Sequence, residues 1–526
     1  MKLIRSTAII GGMTLISRIL GLLRDILLAK FLGASVINDA LITATRLPNL
    51  FRRMFAEGAF NAAFIPLYAR RLEGQGDEAA AKFAGEAMAA LIALVTFIVI
   101  IFELTMPISL NLVGGGLDRV SSTPGQLAPY DLAVIYARIT MPYLLLMSLA
   151  ALISGILNAR HYFAMAAFVP ALLNVVWIGI LAYAATGAFT VTKLALWLSV
   201  GMTFSGILQA GALWWALKCA GISLPFKRPR ITTGVKRLFI LGVPGLISAG
   251  ITQINLAVST MVATFKNSAA SWLYYADRLY QLPLAMIGIA MGIALLPTLS
   301  RRLRAGDDQG AMNAMNRGME IAAFLTVPAA IALLLIPSFL ICGLFERGEF
   351  SSQDTYNSAL ALSMYALGLP AFILLKILTP AFFARENTKT PMIYAALSAV
   401  INLVLGVLLF FTIGFHGLAF ATSFAAWVNV ICLAVVLYKQ GWFRFDPRLQ
   451  ARLPRIFLAG LIMGAALWCG VQFIAKDWLS GPILTDYLTL LGACGLGGAV
   501  YLLAAFLLKA IRPDDVSYML KKPKAE

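Results

Sequence analysis

The chain has 526 residues, of which 60% are hydrophobic and only 13% charged, with a mean hydropathy of +0.85; that balance excludes an ordinary soluble globular domain. A formal net charge of +18 raises nucleic acid as a partner, but the basic residues are sorted by alternate loops instead of forming one patch, so no nucleic acid is expected. Five single cysteines (Cys219, Cys342, Cys432, Cys469 and Cys494) and two distant histidines (His161 and His416) lack metal or redox spacing, so they read as packing residues and no metal is expected.

The first apolar segment, from about Thr7 to Phe31, is interrupted by Arg18, Arg24 and Asp25 and has no clear cleavage site, so it is expected to be a retained helix and not a signal peptide. Apolar runs of about 20 residues, the length that crosses a bilayer, then recur to the end of the chain. About fourteen spans result, centred near residues 18, 48, 97, 145, 173, 205, 248, 284, 328, 367, 400, 427, 465 and 498. Helices are expected because lipid-exposed backbone must satisfy its own hydrogen bonds, and the runs lack the two-residue alternation of barrel strands. The predicted fold class is therefore an all-α polytopic membrane protein.

Placing the N-terminus in the cytoplasm collects Arg70 and Arg71, the Lys227 to Arg237 loop, Arg301 to Arg304, Arg385 and Lys389, the Arg444 to Arg455 linker and Lys521 and Lys522 on one side. The other side keeps Arg119, Lys193, Lys266, Arg347 and Lys476. The positive-inside rule then puts both termini in the cytoplasm.

The sequence repeats. Met141-Pro142 returns as Leu369-Pro370 and Asn174 as Asn402, both 228 residues later. Ala-Thr-Arg46-Leu returns as Ala-Asp-Arg278-Leu, and Pro66 with Arg70-Arg71-Leu as Pro297 with Arg301-Arg302-Leu. Two pseudo-symmetric six-helix lobes are expected, 1–222 and 223–440, around a central cavity. Residues 441–526 form a basic linker, two additional helices and a tail. Asn174 and Asn402 are expected to hydrogen-bond between helices.

Charge inside apolar spans costs several kcal/mol unless paired or hydrated, so each such residue is a functional candidate. Arg18, Arg24 and Asp25 lie on the first helix. Asp39, Arg46, Arg52, Arg53 and Glu57 lie on the second, and Asp277 and Arg278 answer them from the second repeat. Arg18 and Asp25 share a helix face, whereas Arg24 is turned about 120° from Arg18. Local pairing of Arg24 with Asp25, or snorkelling of the arginines to the interface, is the structural alternative. Arginine exceeds carboxylate here, and guanidinium forks match phosphate oxygens and stay charged, so the expected ligand is an anion, a phosphate before others. Pro48 and Asn49 in the second span, and Gly242, Pro244, Gly245 and Gly250 in the seventh, mark expected bends. Nucleotide-binding and nucleophile-elbow motifs are missing, so the chain reads as a transporter and not an enzyme.

Several stretches carry a resemblance. Ser17-Arg18, Gly21 and Arg24-Asp25, then Asp39-Ala40, then Leu47-Pro48-Asn49-Leu50 with Arg52-Arg53 and Phe55-Ala56-Glu57-Gly58-Ala59-Phe60, and Tyr275-Ala276-Asp277-Arg278-Leu279 resemble the MurJ (MviN) family. These are the lipid II flippases of the multidrug/oligosaccharidyl-lipid/polysaccharide exporter superfamily, and the likeness runs over essentially the whole chain. It implies an inner-membrane flippase that carries lipid II, the undecaprenyl-pyrophosphate disaccharide pentapeptide of peptidoglycan biosynthesis, to the outer leaflet by alternating access among membrane lipids. It implies that Arg18, Arg24 and Arg278 hold the pyrophosphate, that Arg52 lies near the headgroup, and that Asp39 and Asn49 matter for activity. Asp25 and Arg53 are grouped with the substrate-binding residues, and Arg347 is the partner with which Glu57 closes an outer gate. No cofactor is implied. Sodium coupling, described for some relatives, is doubtful because the seventh, eleventh and twelfth spans hold no Asp or Glu; the membrane potential is the expected driving force. The alternative is an exporter of another polyprenyl-linked glycan or of a drug, although a cationic drug would favour acidic residues over these arginines.

Overall fold

The computed structural model describes residues 2–54, 60–119, 127–474 and 483–510. Among them lie eighteen α-helices, one 3-10 turn and no strand. In chain order the helices are α1 (Lys2–Leu32), α2 (Val36–Arg52), α3 (Phe60–Leu104), α4 (Met106–Gly114), α5 (Pro129–Thr140), α6 (Tyr143–Ala159), α7 (Phe163–Phe168), α8 (Pro170–Ala184) and α9 (Val191–Cys219). They continue as α10 (Thr233–Ala263), α11 (Ala269–Arg304), α12 (Asp308–Leu335), α13 (Pro337–Phe345), α14 (Ser352–Phe383), α15 (Lys389–Ile413), α16 (His416–Lys439), α17 (Pro447–Ile474) and α18 (Ile483–Leu507).

Among the described residues, nine helices are long and apolar enough to cross a membrane. Their outer faces fit that setting: on α15, Val400, Val404, Leu408 and Phe411 are all exposed, a stripe at helical spacing that water would oppose and lipid accepts. The protein is a multi-pass membrane protein. Helix starts follow local chemistry. Ser35, Thr190, Thr232, Asp307 and Ser351 cap α2, α9, α10, α12 and α14, each accepting a backbone N–H with its side chain. Proline, which has no N–H to lose, stands in the first turn of α4, α5, α8 and α13.

The internal repeat extends to backbone detail. Gly76 (φ 80) breaks α3 and is followed by Asp77; Gly306 (φ 72) separates α11 from α12 and is followed by Asp307 and Asp308. At the end of α6, Arg160 precedes His161 at φ 66, and at the end of α14, Arg385 precedes Glu386 at φ 60. Side-chain residues rarely adopt such positive φ values, so their recurrence in both copies marks one inherited turn. The copies differ in the fourth span. Met141-Pro142 splits α5 from α6, whereas α14 runs through Leu369-Pro370.

Hydroxyls reach backbone carbonyls near two of the prolines. Pro48 cannot donate to Ala44, and Thr140 Oγ1 of α5 approaches the Ala44 carbonyl at 3.4 Å. At the α5 to α6 break, Thr203 Oγ1 donates to the Ile139 carbonyl at 2.5 Å. α10 stays helical through Pro244.

Packing groups residues 1–271 and 347–350 into one unit and 272–346 and 351–526 into another. In the first, α10 lies on α3 and α4, and α1 on α7 and α8. In the second, α17 lies on α12, α18 on α13 and α17, and α14 to α16 pack together. α17 meets α12 much as α10 meets α3. Thr232, at the start of α10, donates to Glu86 of α3 at 2.8 Å. The residue matching Glu86 in the repeat is Asn316 of α12, which donates to the Arg444 carbonyl at 3.0 Å and accepts from Asp446 N at 3.2 Å, just before α17.

The linker read from sequence as a block of cytoplasmic charge therefore also serves as a set of counter-ions. Glu320 of α12 is gripped by Arg317, Arg448 and Arg452, and Asp446 pairs with Arg317. Above this node Ile331, Phe339, Met463 and Leu490 form a continuous core, and Tyr501 of α18 donates to the Phe324 carbonyl at 2.7 Å.

Candidate functional site

α1 carries the densest arrangement. Arg24 Nε and Nη2 donate to Asp25 Oδ1 at 3.0 and 2.7 Å, and Nη1 donates to Asn174 Oδ1 of α8 at 2.9 Å. One turn along α8, the Trp177 ring lies 5.4 Å from the Arg24 guanidinium carbon, within cation–π range. Asp25, Asn174 and Trp177 are buried. A membrane-embedded cation is tolerable here because a carboxylate compensates it and an amide and an indole face enclose it. The pairing alternative considered for Arg24 and Asp25 is the arrangement adopted, so Asp25 serves as the counter-ion of Arg24.

Arg18, half-buried on the same helix, forms no hydrogen bond or ion pair among the described residues. The contrast within α1 is chemical: Arg24 is seated and neutralised, whereas Arg18 has no counter-ion among the described residues.

On α2, Asp39 is 1% exposed, and its Oδ1 accepts from Ser271 N at 2.8 Å and from Ser271 Oγ at 2.6 Å. The carboxylate anchors the first turn of α11, where its charge meets unpaired backbone donors. Asp39 thereby braces α2 against the start of α11. Asn49 Nδ2 donates to the Thr45 carbonyl at 2.8 Å, and Asn49 Oδ1 accepts from Arg52 Nε at 3.2 Å. Asn49 thus orients Arg52 near the C-terminal end of α2. Arg53, the C-cap residue, is exposed. Arg46 is half-buried.

Arg278 lies in the second unit, half-buried on α11, its guanidinium carbon 4.6 Å from the ring of Tyr274 one turn earlier. Neighbouring Asp277 accepts from Gln281, and Tyr275 is buried against Phe345, with ring centroids 5.1 Å apart. Glu57 lies outside the described residues. Arg347, its expected gate partner, is half-buried and opens a four-residue segment that packs with the first unit. There Glu349 N donates to the Lys30 carbonyl at 2.9 Å, and a Cβ on Gly348 would collide with that carbonyl.

Sequence reasoning missed two charge pairs. Arg160 pairs with Asp77 and donates to Tyr68 Oη at 2.9 Å; Arg385 lies 3.8 Å from Asp308, with Trp442 4.9 Å from its guanidinium carbon. Burial pulls the Arg160 pKa down, but Tyr68 and Asp77 more than reverse this and hold it above its usual value; burial lowers that of Arg385, with Asp308 opposing. The signal was present: Ala159-Arg160 and Ala384-Arg385 close the same span of each repeat. Among the described residues there is no cluster of His, Cys, Asp or Glu that could hold a metal.

The sequence profile of the family described as "Lipid II flippase MurJ" matches residues 28–489. A probable lipid II flippase MurJ of Rhizobium meliloti (strain 1021) is 42% identical over 96% of this chain and 94% of its own length. One from Vibrio cholerae serotype O1 is 34% identical over 98% of both. A solved structure titled "Lipid II flippase MurJ, inward closed conformation" superposes with a TM-score of 0.76 at 25% identity, covering 95% of this chain and 98% of that one. An inward-facing MATE family transporter of the MOP superfamily, 15% identical, shares the fold with a TM-score of 0.64 over 86% of this chain and 95% of its own. With its arginine-bearing first helix and its doubled helical plan, the chain belongs to the lipid II flippase MurJ family.

Proposed function

We propose that the protein is a transporter, not an enzyme, that moves lipid II from the inner to the outer leaflet of the bacterial cytoplasmic membrane by alternating access. The observation that carries this reading is the pair of arginines on α1, Arg18 uncompensated among the described residues and Arg24 held in a fixed seat. A pyrophosphate supplies the charge that Arg18 lacks, and its oxygens match oriented guanidinium N–H groups. Arg18, Arg24, Arg52 and Arg278 are the proposed phosphate-binding residues, with Asn49 orienting Arg52 and Arg53 at the entrance. Asp39 and Asp25 act as brace and counter-ion, and Glu57 with Arg347 as the outer gate.

The moving parts are the lobes 1–222 and 223–440, with 441–526 travelling alongside the second. Both termini lie in the cytoplasm, as the loop charges favour. Binding must differ between inward and outward states, since equal affinity for both shifts no population. The membrane potential drives export of the anionic head at about 2.3 kcal/mol per charge per 100 mV. The seventh, eleventh and twelfth spans offer no carboxylate for sodium. No organic cofactor or nucleic acid takes part.

The test is depletion of the protein in its native cells, with lipid II exposure scored by an externally added toxin that cleaves lipid II. Depletion is expected to protect lipid II, and alanine at Arg18, Arg24 or Arg278 to fail in restoring cleavage while remaining in the membrane. Unchanged exposure on depletion overturns the reading.

A further inference from the structure

Asn174 is bonded in two directions at once. Its Oδ1 accepts from Arg24 Nη1 at 2.9 Å, and its Nδ2 donates to the Ser17 carbonyl at 2.9 Å. Ser17 and Arg24 are seven residues apart, two turns along α1, so a single amide on α8 grips the same face of α1 at both heights. These two bonds also fix which way the amide points, because only the oxygen can accept from arginine and only the nitrogen can donate to a carbonyl. Gly21 lies between the two grips, where a Cβ would stand 3.6 Å from Asn174 Nδ2.

The seat this creates is complete on three sides. Asp25 holds the Nε and Nη2 edge of the guanidinium, Asn174 holds Nη1, and Trp177, three residues after Asn174 on the same face of α8, covers a flank at 5.4 Å. A guanidinium fixed at all three nitrogens has lost the freedom that makes a free arginine pay rotamer entropy on binding.

The repeat shows that this use of the asparagine is specific to the first lobe. Asn402, the matching residue on α15, instead accepts from Thr422 Oγ1 of α16 at 3.1 Å. The position matching Arg24 on α10 is Asn255, and that matching Asp25 is Leu256, so the second repeat does not carry the charged pair.

We propose that Asn174 is a positioning residue for substrate binding: it orients the Arg24 guanidinium toward the phosphate of the transported lipid, acting through Arg24 and not by touching the substrate. The inference rests on the reading of Arg24 as a phosphate-binding residue. Because the pair with Asp25 is already neutral, what Asn174 contributes is direction, and direction is what a bidentate phosphate contact requires.

The experiment is a double-mutant cycle on the full-length purified protein, with lipid II in detergent as the probe and undecaprenyl phosphate, which lacks the pyrophosphate and sugars, as the control. Asn174→Ala is expected to weaken lipid II binding about tenfold, the worth of one charge-assisted hydrogen bond. Arg24→Ala is expected to weaken it at least as much, and the double variant no more than Arg24→Ala alone, because Asn174 has nothing left to orient. Asn174→Asp keeps an acceptor for Nη1 and is expected to bind lipid II more tightly than Asn174→Ala. Thermal unfolding of each variant is read alongside. Additive losses of affinity in the double variant, or an affinity loss in Asn174→Ala that vanishes once the fraction still folded is counted, overturn the positioning role. Unchanged binding in Asn174→Ala beside a loss in Arg24→Ala overturns it while leaving the flippase reading intact. If neither variant affects lipid II binding, the reading of Arg24 fails and the inference falls with it.

Discussion

The most exacting test of the packing lies in the second unit, at Glu320. Its carboxylate accepts from Arg317, from Arg448 Nε and Nη2 at 3.2 Å each, and from Arg452. The Glu320 and Arg452 side chains are 9% and 7% exposed, whereas that of Arg448 is 45% exposed. Removing one partner of a buried pair strands the other charge, at a cost of about 3–5 kcal/mol. The half-exposed Arg448 contact adds only about 0–1 kcal/mol, since water screens it. Glu320→Ala is therefore expected to lose about 3–5 kcal/mol of stability, chiefly from loss of the buried contact with Arg452. Thermal unfolding of the detergent-purified protein should show a fall on the order of 5 °C or more. Adding Arg452→Met should restore part of the loss, because the buried cation is then gone and an apolar side chain of similar length replaces it. A Tm for Glu320→Ala indistinguishable from that of the parent would refute the account, and so would a double variant less stable than Glu320→Ala.

Other elements make smaller claims. Asp39→Ala removes the acceptor of two bonds from Ser271 and should cost about 1–3 kcal/mol, read as a lower Tm; an unaltered Tm removes Asp39 as a brace. Gly306→Ala meets no neighbouring atom within 4 Å, so its cost of about 1–2 kcal/mol comes from the left-handed backbone alone. Gly76→Ala should cost the same and add to it in the double variant. Asp77→Asn and Asp308→Asn, both 76% exposed partners of their arginines, should change stability by less than about 1 kcal/mol; a larger fall in Tm would show that these pairs hold their lobes together.

The all-helical, membrane-spanning character was legible because lipid imposes a length, and the repeat because duplication leaves matching residues at a fixed spacing; against about fourteen expected spans, nine helices among the described residues are long and apolar enough to cross. Gly76 and Gly306 lay within reach of the same comparison, since each begins the turn after a matched Arg-Arg-Leu. The site was legible only in part. Composition exposed the arginines as anomalous, but the division of labour on α1 depends on Asn174 and Trp177, 150 or more residues away in sequence, and spacing within one helix cannot reveal a partner on another. For a related reason, spacing could not reveal that Asp39 Oδ1 accepts from Ser271 at the start of α11.

The last two helices were the least legible, and their packing gives them a rationale. Arg237-Leu238-Phe239 at the start of α10 resembles Arg455-Ile456-Phe457 early in α17. Each stretch follows the sixth span of a repeat, and the linker before each helix docks at the same register position on the third span, Glu86 in one copy and Asn316 in the other. In the first unit the face of α3 and α4 is covered by α10, the opening helix of the next repeat. After the second repeat, α17 lies on α12 and α18 on α13. The node at Glu320 belongs to this arrangement, since it fixes the start of α17 at the depth where α10 is fixed by Glu86. The two helices outside the repeat thus supply the second unit with the covering that the first receives from its successor.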